Sequence, residues 1–170
     1  MKKITFFAAI AMIAFTTNAV AQATATGTST ATVVAPIGIT STATLAFGNL
    51  AVVEAGTVLL TSANVRSQTG GVTLTANEGT FNPAGFSVTG EATYAYTLTL
   101  PLDTDVALSD LLGIEGGPDM TVTAFESSLT DNKGVIGTND TFTVGATLNV
   151  AAGQDAGSYE GDFDVTVEYD

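Results

Sequence analysis

The sequence predicts an all-β protein, an antiparallel β-sandwich of about eight to ten short strands, with a closed barrel as the alternative. Three observations predict it. Apolar and polar residues alternate with period two in several separate stretches, as a sheet with one wet face requires. Thr, Val, Ala and Gly are abundant, and turn residues separate the alternating stretches. The chain has 170 residues, 45% of them apolar and 12% charged. That is too apolar for disorder and suits one domain.

The elements follow in chain order. Residues 1–21 read as a secretory signal peptide: Lys2 and Lys3, a largely apolar run over 4–15, then Ala19-Val20-Ala21, the small-x-small pattern of a cleavage site. The twelve-residue run is too short for about 30 Å of hydrocarbon. No later run is long enough to span a membrane, so no integral membrane segment is expected. Residues 22–32 form an N-terminal extension. In extended form Ala23, Ala25, Gly27, Ser29 and Ala31 share one face, continued by Val33, and Thr24, Thr26, Thr28, Thr30 and Thr32 share the other. Such a segment is either a polar leader or a strand of small side chains ready to pair with a sheet edge.

Residues 33–170 form a single β domain. Strand candidates run over 33–40, 42–47, 56–61, 71–75, 84–88, 94–100, 120–125 and 142–150. Pro36 lacks a ladder donor, so the first of these is expected at an edge or where the chain switches sheets. Thr89-Gly90-Glu91 reads as a hairpin turn, and 106–112 as a short helical turn. The expected core is Phe86, Val88, Tyr96, Leu98, Phe142, Val144, Leu148, Phe163, Val165 and Val167. The C-terminal stretch alternates most strongly. Gly157, Tyr159, Gly161, Phe163, Val165, Val167 and Tyr169 form its apolar face; Glu160, Asp162, Asp164, Thr166, Glu168 and Asp170 form its wet face, because a buried unpaired carboxylate is too costly.

Composition excludes several function classes. The chain has no Cys and no His, which removes Cys nucleophiles, His acid–base chemistry and zinc sites built on either. Seventeen acidic residues face four basic ones, a net charge of −13. Nucleic-acid binding, which rests on Lys and Arg, is not expected. Loss of Lys2 and Lys3 with the leader brings the net charge to −15, with Arg66 and Lys133 as the remaining cations. No catalytic, cofactor-binding or metal-binding residue is assigned, and no enzyme is expected. The acidic residues Asp103, Asp105, Asp110, Glu115, Asp119, Asp131 and Asp140 spell no calcium loop.

Several segments carry a resemblance: Val-Ala-Pro-Ile-Gly-Ile at 34–39, Leu-Ala-Phe-Gly at 45–48, Phe-Ser-Val-Thr-Gly at 86–90, Val-Gly-Ala-Thr-Leu-Asn-Val at 144–150 and the closing stretch 156–169. With these the chain resembles the domain-of-unknown-function 4402 family of exported bacterial proteins, over nearly all of residues 22–170. More distantly it is similar to chaperone–usher pilin subunits of the common-pilus type. There the C-terminal strand has an aromatic next to last and a glycine fourteenth from the end, the positions of Tyr169 and Gly157 here. The chain departs from many pilins in lacking a cysteine pair and in the small side chains of its donor face.

The resemblance implies an immunoglobulin-like, pilin-like sandwich. It implies a structural subunit of a surface fibre, polymerised head to tail with copies of itself by strand donation from 22–32. A periplasmic chaperone and an outer-membrane usher are the further partners it implies. The location is then extracellular or at the cell surface of a Gram-negative bacterium. The alternative is a monomeric secreted or cell-surface binding module for a sugar or calcium.

Overall fold

The computed structural model describes residues 22–102, 106–110 and 119–170. The signal-peptide assignment to 1–21 lies outside them. The chain divides into two units, 1–32 and 33–170. In the first, residues 22–32 form no helix or strand and are exposed. Every assigned element lies in the second.

Thirteen strands are described: β1 (Gly38–Ala43), β2 (Ala46–Phe47), β3 (Leu50–Leu60), β4 (Arg66–Leu74), β5 (Phe81–Asn82), β6 (Ala84–Thr89), β7 (Ala95–Thr99), β8 (Val106–Asp110), β9 (Met120–Ser127), β10 (Lys133–Val135), β11 (Thr141–Val150), β12 (Tyr159–Glu160) and β13 (Thr166–Tyr169). One 3₁₀ turn, Thr130–Asn132, precedes β10. All ladders are antiparallel. The large sheet has the order β1-β6-β11-β9-β8-β12, with β3 joining β11 to β4. A second sheet has the order β10-β7-β13, and β2 pairs with β5. The protein is an antiparallel β-sandwich, as the alternation predicts.

β11 organises the large sheet. Its first half pairs with β6 and its second half with β3, and its other edge pairs with β9. The exchange of neighbours falls at Gly145, where a Cβ would meet the backbone of Thr61 and Ser62 at about 2.5 Å. Only glycine allows β3 to approach there. The alternating residues of β11 bury Phe142, Val144, Ala146, Leu148 and Val150. They feed two clusters. One gathers Val58, Leu60, Val122 and Leu148. The other gathers Phe86, Val88, Tyr96, Leu98, Phe142 and Val144 beneath the smaller sheet. Leu45, Phe125 and Phe163 pack against both.

The structure corrects several expectations. Residues 106–110 are strand β8, not a helical turn: Val106 and Leu108 alternate inward and pair with Val122 and Met120. Thr89-Gly90-Glu91 closes no hairpin, because β6 and β7 lie in different sheets; this turn carries the chain across the sandwich. The first strand starts at Gly38, after Pro36, and is an edge with β6 as its partner. The 42–47 stretch splits between β1 and β2. The C-terminal stretch is not one strand. β12 extends β8, 161–165 belong to no ladder, and β13 extends β7. The segment therefore leaves one sheet for the other. Of the expected core, Phe163, Val165 and Val167 are half-buried and the other seven are buried.

Candidate assembly surface

The predicted C-terminal residues fall along one line of the domain, and the break in that line has a local cause. Gly161 lies so close to the Ala107 carbonyl that a Cβ would strike it. The chain touches β8 there, then turns inward at Phe163, whose ring meets Phe125 at 5.1 Å and Phe86 at 6.4 Å. Val165, Val167 and Tyr169 continue over the second cluster, half-buried, while Asp162, Asp164, Glu168 and Asp170 point to water. The alternation thus survives although the ladder does not.

Two strand edges flank this line. β13 pairs with β7 on one side, and β1 pairs with β6 on one side. Each ends its sheet, and among the described residues no strand covers its other edge. The two strands approach one another. Ile37 and Ile39 on the β1 side pack on the same cluster as Val165 and Val167 and are likewise half-buried. An open edge beside half-buried apolar side chains is a template for another strand.

A clasp joins the two sides at one end. The Tyr169 hydroxyl accepts a hydrogen bond from the Glu91 amide (2.7 Å) and donates one to the Ala35 carbonyl (2.8 Å). The Ala35 amide donates to Glu91 Oε2 at 3.0 Å. Tyr94 packs edge-on against Tyr169, with centroids 5.6 Å apart. Tyr94 is 43% exposed. Beside the clasp, Asp170 accepts from the Thr97 hydroxyl and from Lys133 Nζ at 2.9 Å. The Thr97 and Lys133 bonds hold its carboxyl below the usual range.

At the other end the sides part around a cleft of about 720 Å³. Leu45, Phe47 and Leu50 form one wall, Gly157, Ser158 and Tyr159 the other, and Leu108, Met120 and Leu148 its apolar floor. Arg66 braces the first wall. Its side chain is 2% exposed, with Nη1 donating to the carbonyls of Phe47 (2.8 Å) and Glu78 (3.3 Å). Its guanidinium lies 4.3 Å above the Phe81 ring. Sequence reasoning missed Arg66 and the Leu45–Phe47 wall. A lone arginine at the head of an otherwise uncharged strand was the available signal.

The predicted donor residues Ala23, Ala25, Gly27, Ser29 and Ala31 are exposed and in no strand, and a Cβ on Gly27 would meet nothing within 4 Å. Among the described residues no group of three or more His, Cys, Asp or Glu side chains is placed to hold a metal. No described helix is long and apolar enough to cross a membrane.

A family model described as Domain of unknown function (DUF4402) matches residues 37–169. The chain belongs to the DUF4402 family. The match contains both open edges, the clasp tyrosine and the cleft, and begins after residues 22–32. No curated protein and no solved structure matches the chain.

Proposed function

We propose that the protein is a structural subunit of a bacterial surface fibre of pilus or fimbria type, assembled by β-strand donation. In this reading it is exported, held by a periplasmic chaperone and passed to an outer-membrane usher. Residues 22–32 of one copy then pair with the open edge of the next. The supporting observation is the pair of uncovered edges, β1 and β13, set beside half-buried apolar side chains. The extension is uncharged, so it can approach a C-terminal segment lined with carboxylates without repulsion. A head-to-tail contact of this kind does not close on itself and propagates as a filament.

Deletion of 22–31 tests the reading. The deleted protein is expected to stay folded or chaperone-held and to form no polymer by sedimentation or electron microscopy. A polymer like that of the full chain, or a parent that is strictly monomeric, returns the assignment to a monomeric binding module for a sugar or calcium.

A further inference from the structure

We infer that the exported chain begins with pyroglutamate: Gln22, freed by removal of residues 1–21, closes on its own amine as a five-membered lactam. The inference rests on the export reading for its starting residue and adds a covalent modification site to it. The cleavage pattern Ala19-Val20-Ala21 leaves Gln22 as the first residue. Among the amide side chains only glutamine has the reach for this reaction. Its Cδ lies two methylenes beyond Cα, so joining it to the α-nitrogen gives an unstrained five-membered ring. Asparagine, one methylene shorter, would have to close a four-membered ring.

The structure leaves Gln22 free to react. Residues 22–33 are exposed, and the first strand begins only at Gly38. Among the described residues, the first hydrogen bonds along the chain are those of Ala35, to Glu91 and Tyr169. A cyclising glutamine must fold its amide back onto its own nitrogen. A ladder would hold the backbone extended and a packed face would hold the side chain, and Gln22 has neither restraint. Its neighbours Ala23 and Thr24 are small and exposed as well, so nothing screens the amine from its own side chain.

The step balances without a co-reactant. The neutral α-amine of Gln22 attacks Cδ and a new C–N bond forms. The bond from Cδ to the side-chain nitrogen breaks, and ammonia leaves with the proton that the amine gives up. Nothing is oxidised or reduced. An α-amine has a pKa of about 7.7–8.0, so on the order of a tenth of it is neutral and nucleophilic at pH 7. Two consequences follow for the exposed tail. No side chain between Gln22 and Glu54 is charged, so loss of the amine removes the one charge of that stretch. A tail without an ammonium has no such charge to desolvate when a surface covers it. It also offers an aminopeptidase no free amine, at an exposed terminus where trimming is otherwise easiest.

Expression of the full chain in a Gram-negative host, followed by intact-mass measurement and stepwise N-terminal degradation of the exported protein, tests the inference. The expected mass is that of the chain from Gln22 less one ammonia. Degradation is expected to be blocked until pyroglutamyl peptidase removes residue 22 and exposes Ala23. A chain that starts at Gln22 and keeps its free amine after prolonged incubation at neutral pH overturns the modification and leaves the export reading standing. A chain that retains Met1, or starts at another residue, overturns the cleavage assignment and the modification with it. Gln22→Asn adds a second readout. It is expected to carry a free amine and to lose its first residues to an aminopeptidase that leaves the parent intact, while the melting temperature is unchanged. Equal trimming of parent and variant overturns the protective role.

Discussion

Tyr96 shows how one residue ties the smaller sheet to the core. It is fully buried, and its hydroxyl donates to the Asn139 carbonyl at 2.6 Å. A side chain on Gly134 would collide with its ring, so β10 can lie across it only because that position is glycine. Burial, with a smaller contribution from the Asp140 charge, raises the phenol above its ordinary pKa. The sign follows by linkage. Above the unfolded pKa of about 10 the folded state keeps a proton that the unfolded state has lost. Stability therefore falls from about pH 10 upward until the folded phenol ionises. Tyr96→Phe is expected to lose about 1 kcal/mol at neutral pH through the missing hydrogen bond. It should also show a shallower alkaline decline in urea unfolding followed between neutral pH and pH 11.

At the scale of the element, the C-terminal segment is the part that joins the two sheets. Its ladder is interrupted at 161–165, yet Phe163, Val165, Val167 and Tyr169 keep a period of two. Phe163 stands at the crossing and touches both clusters. A fully buried phenylalanine loses about 3–5 kcal/mol on truncation. Phe163 is half-buried, so Phe163→Ala is expected to cost about 2 kcal/mol, read as a lower urea midpoint. An unchanged midpoint would mean that the segment is not docked between the sheets. Exposure on the uncovered side is also what a strand from a second copy would remove. Assembly should therefore raise the cost of the same substitution.

At the scale of the whole molecule, charge and fold oppose each other. A chain with net charge −13 repels itself when compact. Lys133 answers Asp170 and Arg66 faces Glu78, leaving most carboxylates without a cation. Screening should therefore stabilise the folded domain. The melting temperature is expected to rise as salt increases from about 0.01 M to about 0.15 M, where the Debye length shortens from roughly 30 to 8 Å. A flat response would show that the carboxylates sit too far apart to interact. Repulsion between like-charged copies also opposes indiscriminate pairing at the uncovered β1 and β13 edges.

What the sequence by itself determined is the local part. Period-two alternation assigned β6, β7 and β11 and their buried faces, because side chains on a strand alternate whatever the strand pairs with. Pro36 marked an edge because a missing donor is a property of the residue. The wet and apolar sides of 163–170 were legible for the same reason, whereas Gly157 and Gly161, expected on the apolar side, are exposed. Pairing was not. That β6 and β7 lie in different sheets, that β11 changes neighbours at Gly145 and that β12 and β13 join separate ladders all depend on residues far apart in the chain. Residues 106–110 show the limit most plainly. Taken alone, Val-Ala-Leu-Ser-Asp suits a helical turn as well as a strand, and Met120–Val122 alongside them decides for the strand. The cleft is likewise a product of tertiary structure. Its walls come from 45–50 and 157–159, and Arg66, far from both in sequence, holds one of them in place.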